Sequence, residues 1–114
     1  MGLQQRRYET LKLLDRSYHV KTNVIKISSA NTFQHELAKF LLAWEAISDG
    51  KQIVTEAIFK NKKRADILVL DNNEAWEVLH SETKKQFSKK LDSYPVKVIP
   101  FKAEDVINIW RERI

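Results

Sequence analysis

Two acidic residues, Asp66 and Glu77, stand in two short apolar runs. The runs are Arg64-Ala65-Asp66-Ile67-Leu68-Val69-Leu70 and Glu74-Ala75-Trp76-Glu77-Val78-Leu79, and Asp71-Asn72-Asn73 joins them. β-Branched and aromatic residues flanking a cluster of turn formers predict an antiparallel hairpin. The parity of its loop decides what the acids can do. With an even loop, Asn72-Asn73 alone or Asp71 to Glu74, Leu70 lies opposite Ala75 and Asp66 opposite Leu79. Residues facing each other across a ladder project to the same side, so Asp66, Leu68, Glu77 and Leu79 share one face. Asp66 and Glu77 are then diagonal neighbours, on the order of 6–8 Å apart at Cβ. Two carboxylates so placed can hold one divalent cation. An odd loop sends them to opposite faces and removes that chemistry.

The wider composition narrows the choice of cation and partner. The chain has no cysteine, so disulfides and thiolate metal sites are excluded and any metal must rest on carboxylates or histidines. Carboxylate oxygen favours Mg²⁺ or Mn²⁺, and nothing suggests a small organic cofactor. A formal charge of +5 makes a polyanion, DNA above all, the expected partner. No run approaches the roughly 18 apolar residues of a membrane span, and Met1 to Arg7 leads into no apolar h-region. The expectation is a soluble cytoplasmic protein without membrane contact. At 114 residues it forms one domain, 1–114, with residues 1–30 making an N-terminal helix and arm.

The remaining elements must position the hairpin. Leu3, Tyr8, Leu11, Leu13 and Leu14 predict an amphipathic helix from residue 3 to about 16, with Arg6 and Arg7 on a basic side that either contacts a DNA backbone or is merely solvated. Tyr18 to Ile27 reads as an edge strand or an extended arm. Thr32 and its neighbours offer N-caps for a strong helix over 33–48, ended by Gly50. There Phe33, Leu37, Phe40, Leu41, Trp44 and Ile47 form the expected buried stripe, with Glu36 at its edge facing a cleft. Gln52 to Phe59 is a strand that embeds Glu56, an acid that needs a partner because burying an unpaired carboxylate is costly. Lys60, Lys62, Lys63 and Arg64 form a basic turn into the hairpin. A helix from Ser81 to about Ser93 then turns Phe87, Leu91 and Tyr94 to the core and Lys84, Lys85, Lys89 and Lys90 outward. A strand over 96–101 and a helix over 104–114 close the chain. Trp44, Trp76 and Trp110 are expected in the core. His19 and His35 stand at no spacing that pairs them with another metal ligand, and His80 is expected to pack beside the site.

A helical acid, a strand, a hairpin carrying Asp and Glu, a helix and a fourth strand resemble the PD-(D/E)xK superfamily, the restriction-endonuclease-like nucleases. The matching residues are Glu36, Glu56, Arg64-Ala65-Asp66 and Glu77-Val78-Leu79, and the resemblance runs from about Thr32 to Phe101. Within the superfamily the chain is most similar to small archaeal proteins of the Holliday junction resolvase type. The resemblance implies an α/β (α+β) fold of three layers, a central mixed four-stranded sheet flanked by helices. It implies a metal-dependent DNA endonuclease selective for structure rather than sequence, working as a homodimer. Asp66 and Glu77 would ligate Mg²⁺ or Mn²⁺, with Glu36 or Glu56 completing the shell. Where the family usually carries a lysine this chain has Leu79, and Glu82, Lys84 or Lys85 are the expected replacements. Lys60, Lys62, Lys63, Arg64, Lys84, Lys85 and Lys89 would contact phosphates. The alternative is a nuclease-fold module that binds DNA, or DNA and a partner, without cutting.

Overall fold

Thr32 accepts the His35 N–H on its side-chain oxygen at 3.1 Å and so caps a helix over Phe33–Ser48. That helix stops where Gly50 takes φ 82°, a left-handed value that costs glycine nothing. The Gly50 and Lys51 N–H groups return to the Ile47 and Ala46 carbonyls, both at 3.0 Å, satisfying the last turn. This helix is α2 of the computed structural model, which describes residues 2–16, 19–80 and 84–114, the Lys84 side chain excepted. The elements are α1 (Leu3–Leu11), α2 (Phe33–Ser48), β1 (Ile53–Ile58), β2 (Arg64–Val69), β3 (Glu74–Leu79), α3 (Lys84–Ser93), β4 (Lys97–Lys102) and α4 (Ala103–Arg113). Their order is the one read from the sequence.

The four strands lie in the order β1-β2-β3-β4, the first three as an antiparallel meander and β4 parallel to β3. Among the described residues the class is α+β: a four-stranded mixed open sheet with four helices. Leu68, Leu70, Ala75 and Val98 pack on one side of the sheet with Leu14 and Phe59, and Leu11, Phe87 and Tyr94 cover them. Ile53, Ile67, Val69 and Val78 pack on the other side against Ala38, Leu42, Ala43 and Ala46 of α2 and Ala103 and Val106 of α4. Each fully buried branched aliphatic side chain contributes about 2 kcal/mol, and these two clusters offset the cost of the charged groups described below. Among the described residues no helix is long and apolar enough to cross a membrane.

Three expectations are corrected. The buried side of α2 is nearly opposite the aromatic stripe: Ala38, Leu42, Ala43 and Ala46 face the sheet with Glu36 and Lys39, whereas Phe33 is 74% and Trp44 53% exposed. Small side chains let the α2 backbone approach the sheet closely enough for its charged residues to reach the strands. Leu91 is exposed as well, while Trp76 and Trp110 are partly buried against the core. α1 ends at Leu11, and Leu14 instead joins Phe59 in a single antiparallel bridge.

Of the two readings for Tyr18 to Ile27, the structure has an arm over 19–27, Tyr18 lying outside the described residues. Asn23 N–H donates to the Ile53 carbonyl at 2.8 Å, and Lys26 N–H donates to Thr55 Oγ1 at 2.9 Å. The Thr55 hydroxyl donates to the Val24 carbonyl at 2.7 Å. The arm therefore occupies the free edge of β1 that would otherwise offer unpaired backbone groups.

Candidate active site

The hairpin loop is even, and its register differs by two residues on β3 from the pairing expected from the sequence. Ile67 pairs with Trp76, Leu68 with Ala75 and Val69 with Glu74. Continuing that ladder sets Asp66 directly across from Glu77 rather than from Leu79. On its other side Thr55 pairs with Ile67 and Ala57 with Ala65, which sets Asp66 across from Glu56. Three acids, one from each of β1, β2 and β3, therefore form a row across the sheet.

The backbone is distorted at that row. Glu56 has φ 51°, a left-handed value uncommon for a non-glycine residue inside a strand. Val54, Ala57 and Phe59 all belong to one face cluster, as do Ala65 and Leu68, so the alternation of β1 and β2 shifts at Glu56 and Asp66. The shift frees the acids from strict alternation, and their carboxylates find partners on both α2 and α3.

Those partners form one continuous polar chain. Lys39 of α2 is wholly buried, with Nζ 2.8 Å from Glu56 Oε1 and 2.7 Å from Glu36 Oε1. His35 Nδ1 lies 2.8 Å from Glu36 Oε2, and His35 Nε2 lies 3.4 Å from Asp66 Oδ2. Glu36 also accepts Ser28 N–H at 2.5 Å and the Asn31 amide at 3.3 Å. Asp66 Oδ2 accepts Val78 N–H at 2.8 Å. Beyond Asp66, the Tyr94 hydroxyl is within hydrogen-bond reach of Glu77 Oε1 and the Arg64 carbonyl oxygen, and Lys90 Nζ is 4.0 Å from Glu77 Oε2.

Burial and proximity divide the protons unequally. Burial pushes Glu77 up, and hydrogen bonding to Asp66 and repulsion by its charge push it further, to about 9, against the smaller opposing effects of Tyr94 and Lys90. Burial also opposes ionisation of Asp66, but hydrogen bonds from His35, Glu77 and Val78 N–H outweigh it and hold that carboxyl down. At neutral pH the facing pair therefore keeps one proton, as two close buried carboxylates must. The hydrogen bond to Asp66 raises His35 despite burial, and Glu36 adds to the effect. For Glu36 itself, burial is overcome by Lys39, Ser28 N–H and His35, so its pKa is lowered.

A cavity of about 280 Å³ opens over this chain, lined by Asn31, Thr32, His35, Asp66, His80 and Lys90. Asp66 and Glu77 are thus brought together, and Glu36 sits one histidine away from them. Glu56 is turned to Lys39 and, at 3.8 Å, to Arg64. Lys85 and Lys89 are exposed on α3, while the Lys84 side chain and Glu82 lie outside the described residues. Lys60, Lys62, Lys63 and Arg64 are exposed around the β1–β2 turn, and Arg6 is exposed on α1. Arg7 is instead buried, with Nη2 3.0 Å from Asp71 Oδ2 and 2.9 Å from the Gly50 carbonyl. It ties α1 to the β2–β3 turn and is not placed to meet a phosphate.

No family model, no curated protein and no solved structure matches the chain. The chemistry open to the site follows from its own geometry. Among the described residues no three His, Asp or Glu side chains converge as a ready ligand set. Mg²⁺, however, is commonly held by only one or two carboxylates, with water and substrate phosphate supplying the rest. Asp66 and Glu77 fit that requirement, because the proton between them is what a divalent cation would displace. Sequence reasoning passed over His35, Lys39 and Tyr94. A signal for the first two was present: acids in β1 and β2 need cationic partners, and His35 and Lys39, one turn apart on α2, were available to reach them.

Proposed function

We propose that the chain is a metal-dependent DNA endonuclease with a restriction-endonuclease-like fold, recognising DNA structure rather than sequence. The observation that carries this reading is Asp66 facing Glu77 across β2 and β3, with Asp66 lining an open cavity. The element order, with β4 parallel to β3, supports the finer fold. Asp66 and Glu77 would hold the Mg²⁺ or Mn²⁺, and what the ion supplies when bound is a water of lowered pKa and relief of charge on the phosphate. His35 and Val78 N–H fix the orientation of Asp66, and Tyr94 fixes that of Glu77. Lys39 keeps Glu36 and Glu56 paired beneath them.

Lys90 takes the place of the motif lysine that Leu79 does not provide: it reaches Glu77 and lines the same cavity as Asp66. It would meet the phosphate from the α3 side. Lys60, Lys62, Lys63, Arg64, Lys85 and Lys89 would hold neighbouring phosphates without reading base sequence. A second copy of the chain would supply the other cut.

Cleavage of labelled duplex, single-stranded and four-way-junction DNA in Mn²⁺ tests the reading. Asp66→Ala and Glu77→Ala are expected to abolish cutting, and Lys90→Ala to slow it about a hundredfold while DNA binding persists. Lys85→Ala, which removes a phosphate contact away from the metal, should weaken DNA binding and leave the cutting rate at saturating DNA unchanged. Cutting that survives Asp66→Ala would refute it. Leu79 favours a second reading, a DNA-binding module that does not cut, in which the wild type binds every substrate intact and Leu79→Lys gains cleavage.

A further inference from the structure

Leu79 has a second neighbour besides the acid row. A groove of about 480 Å³ runs from it toward α4, and His80 lines both this groove and the cavity over Asp66, so the two lie side by side at that residue. The groove floor is apolar and half-buried, made by Leu79 and Ile107. Its rim is exposed and polar: Lys102 and Arg111 carry positive charge, Glu104 carries a carboxylate, and Gln34 and Asn108 carry amides.

We infer that this groove receives one unpaired DNA nucleotide adjoining the phosphate held at the Asp66–Glu77 pair. The inference rests on the nuclease reading and adds to it a substrate class, DNA with an unpaired base at the site. Each part of a nucleotide has a counterpart in the groove. A base can lie on the Leu79–Ile107 floor with the Arg111 guanidinium or the His80 ring against its face, as unstacked bases are held elsewhere. The Gln34 and Asn108 amides donate to and accept from base edges. Lys102 meets the next phosphate. A paired base cannot enter, because its Watson–Crick edge is occupied and its partner strand would have to enter with it. Leucine at the motif-lysine position is then the floor of a base pocket, and the cationic role passes to Lys90 across the cavity.

The test is DNA affinity without divalent metal, by fluorescence anisotropy in EDTA, so that cleavage plays no part. Two probes are compared: a blunt duplex, and the same duplex with an overhang of about three nucleotides, in either polarity. The wild type should bind one overhang about tenfold tighter than the blunt end, the scale of stacking one base on a side chain. Arg111→Ala, which alters an exposed residue, and Leu79→Trp, which fills the groove, should each erase that preference and leave blunt-end affinity intact. Equal affinity of the wild type for both probes, or variants that weaken both alike, would overturn the inference while leaving the nuclease reading standing. Failure of the wild type to bind either probe would remove both.

Discussion

A carboxyl group buried beside a second carboxyl costs stability whenever it ionises, and Glu77 is in that position. Its pKa rises from 4.5 to about 9 on folding. Below about pH 4.5 the group is protonated in both folded and unfolded chains. Between that value and 9 only the unfolded chain releases the proton, so stability falls as pH rises through the window. Glutamine has the shape of the protonated acid and does not titrate. Glu77→Gln should therefore melt near the wild type at about pH 4.5 and progressively above it toward pH 9, as followed by circular dichroism. A functional site that stores such a cost is expected to gain stability when it is disabled. Lys39 behaves in the opposite way. Lys39→Met leaves Glu36 and Glu56 buried without their cation and should lower unfolding free energy by about 3–5 kcal/mol in urea titration.

The elements explain why only part of this arrangement was legible. The hairpin could be read because its turn formers and alternating apolar runs are local signals, and they put Asp66 and Glu77 on one side. Direct opposition rather than a diagonal depends on where the turn is centred, and Asp71-Asn72-Asn73 permits a centre on either side of Asn72. α2 misled for a different reason. It is apolar nearly all round, and large aromatics outweigh alanines in any reading of hydrophobic stripes. The alanine side won because close approach to the sheet lets Lys39 and His35 pair with acids on β1 and β2. Those pairings join residues on different elements, so no local spacing reveals them.

Arg7 shows the same limit: beside Arg6 in sequence it looks like half of a basic patch, yet it is an internal tie. Its hydrogen bonds and charge overcome the burial of Asp71 and hold that carboxyl below the usual range, so their contribution to stability is present above that range and fades as pH falls through it. Arg7→Ala should lower the melting temperature, whereas Arg6→Ala should leave it unchanged and weaken DNA binding. Thermal melts and anisotropy on the two variants separate the roles.

For the whole molecule, the two hydrophobic clusters hold a sheet whose centre carries a row of acids, with helices on each side supplying the cations. α2 brings His35 and Lys39 and α3 brings Lys90, leaving Asp66 open to the cavity between them. A positively charged chain surrounding an acidic centre is suited to attract a polyanion and present its phosphate to a divalent cation. The claim on which this depends is that the Asp66–Glu77 pair exchanges its proton for a metal ion. Titration calorimetry of Mn²⁺ at pH 7, in buffers of different ionisation enthalpy, measures that exchange directly. Binding should release about one proton per ion, and Glu77→Gln and Asp66→Asn should each abolish both the binding and the release. Mn²⁺ binding that releases no proton, or that persists unchanged in both variants, would contradict the account.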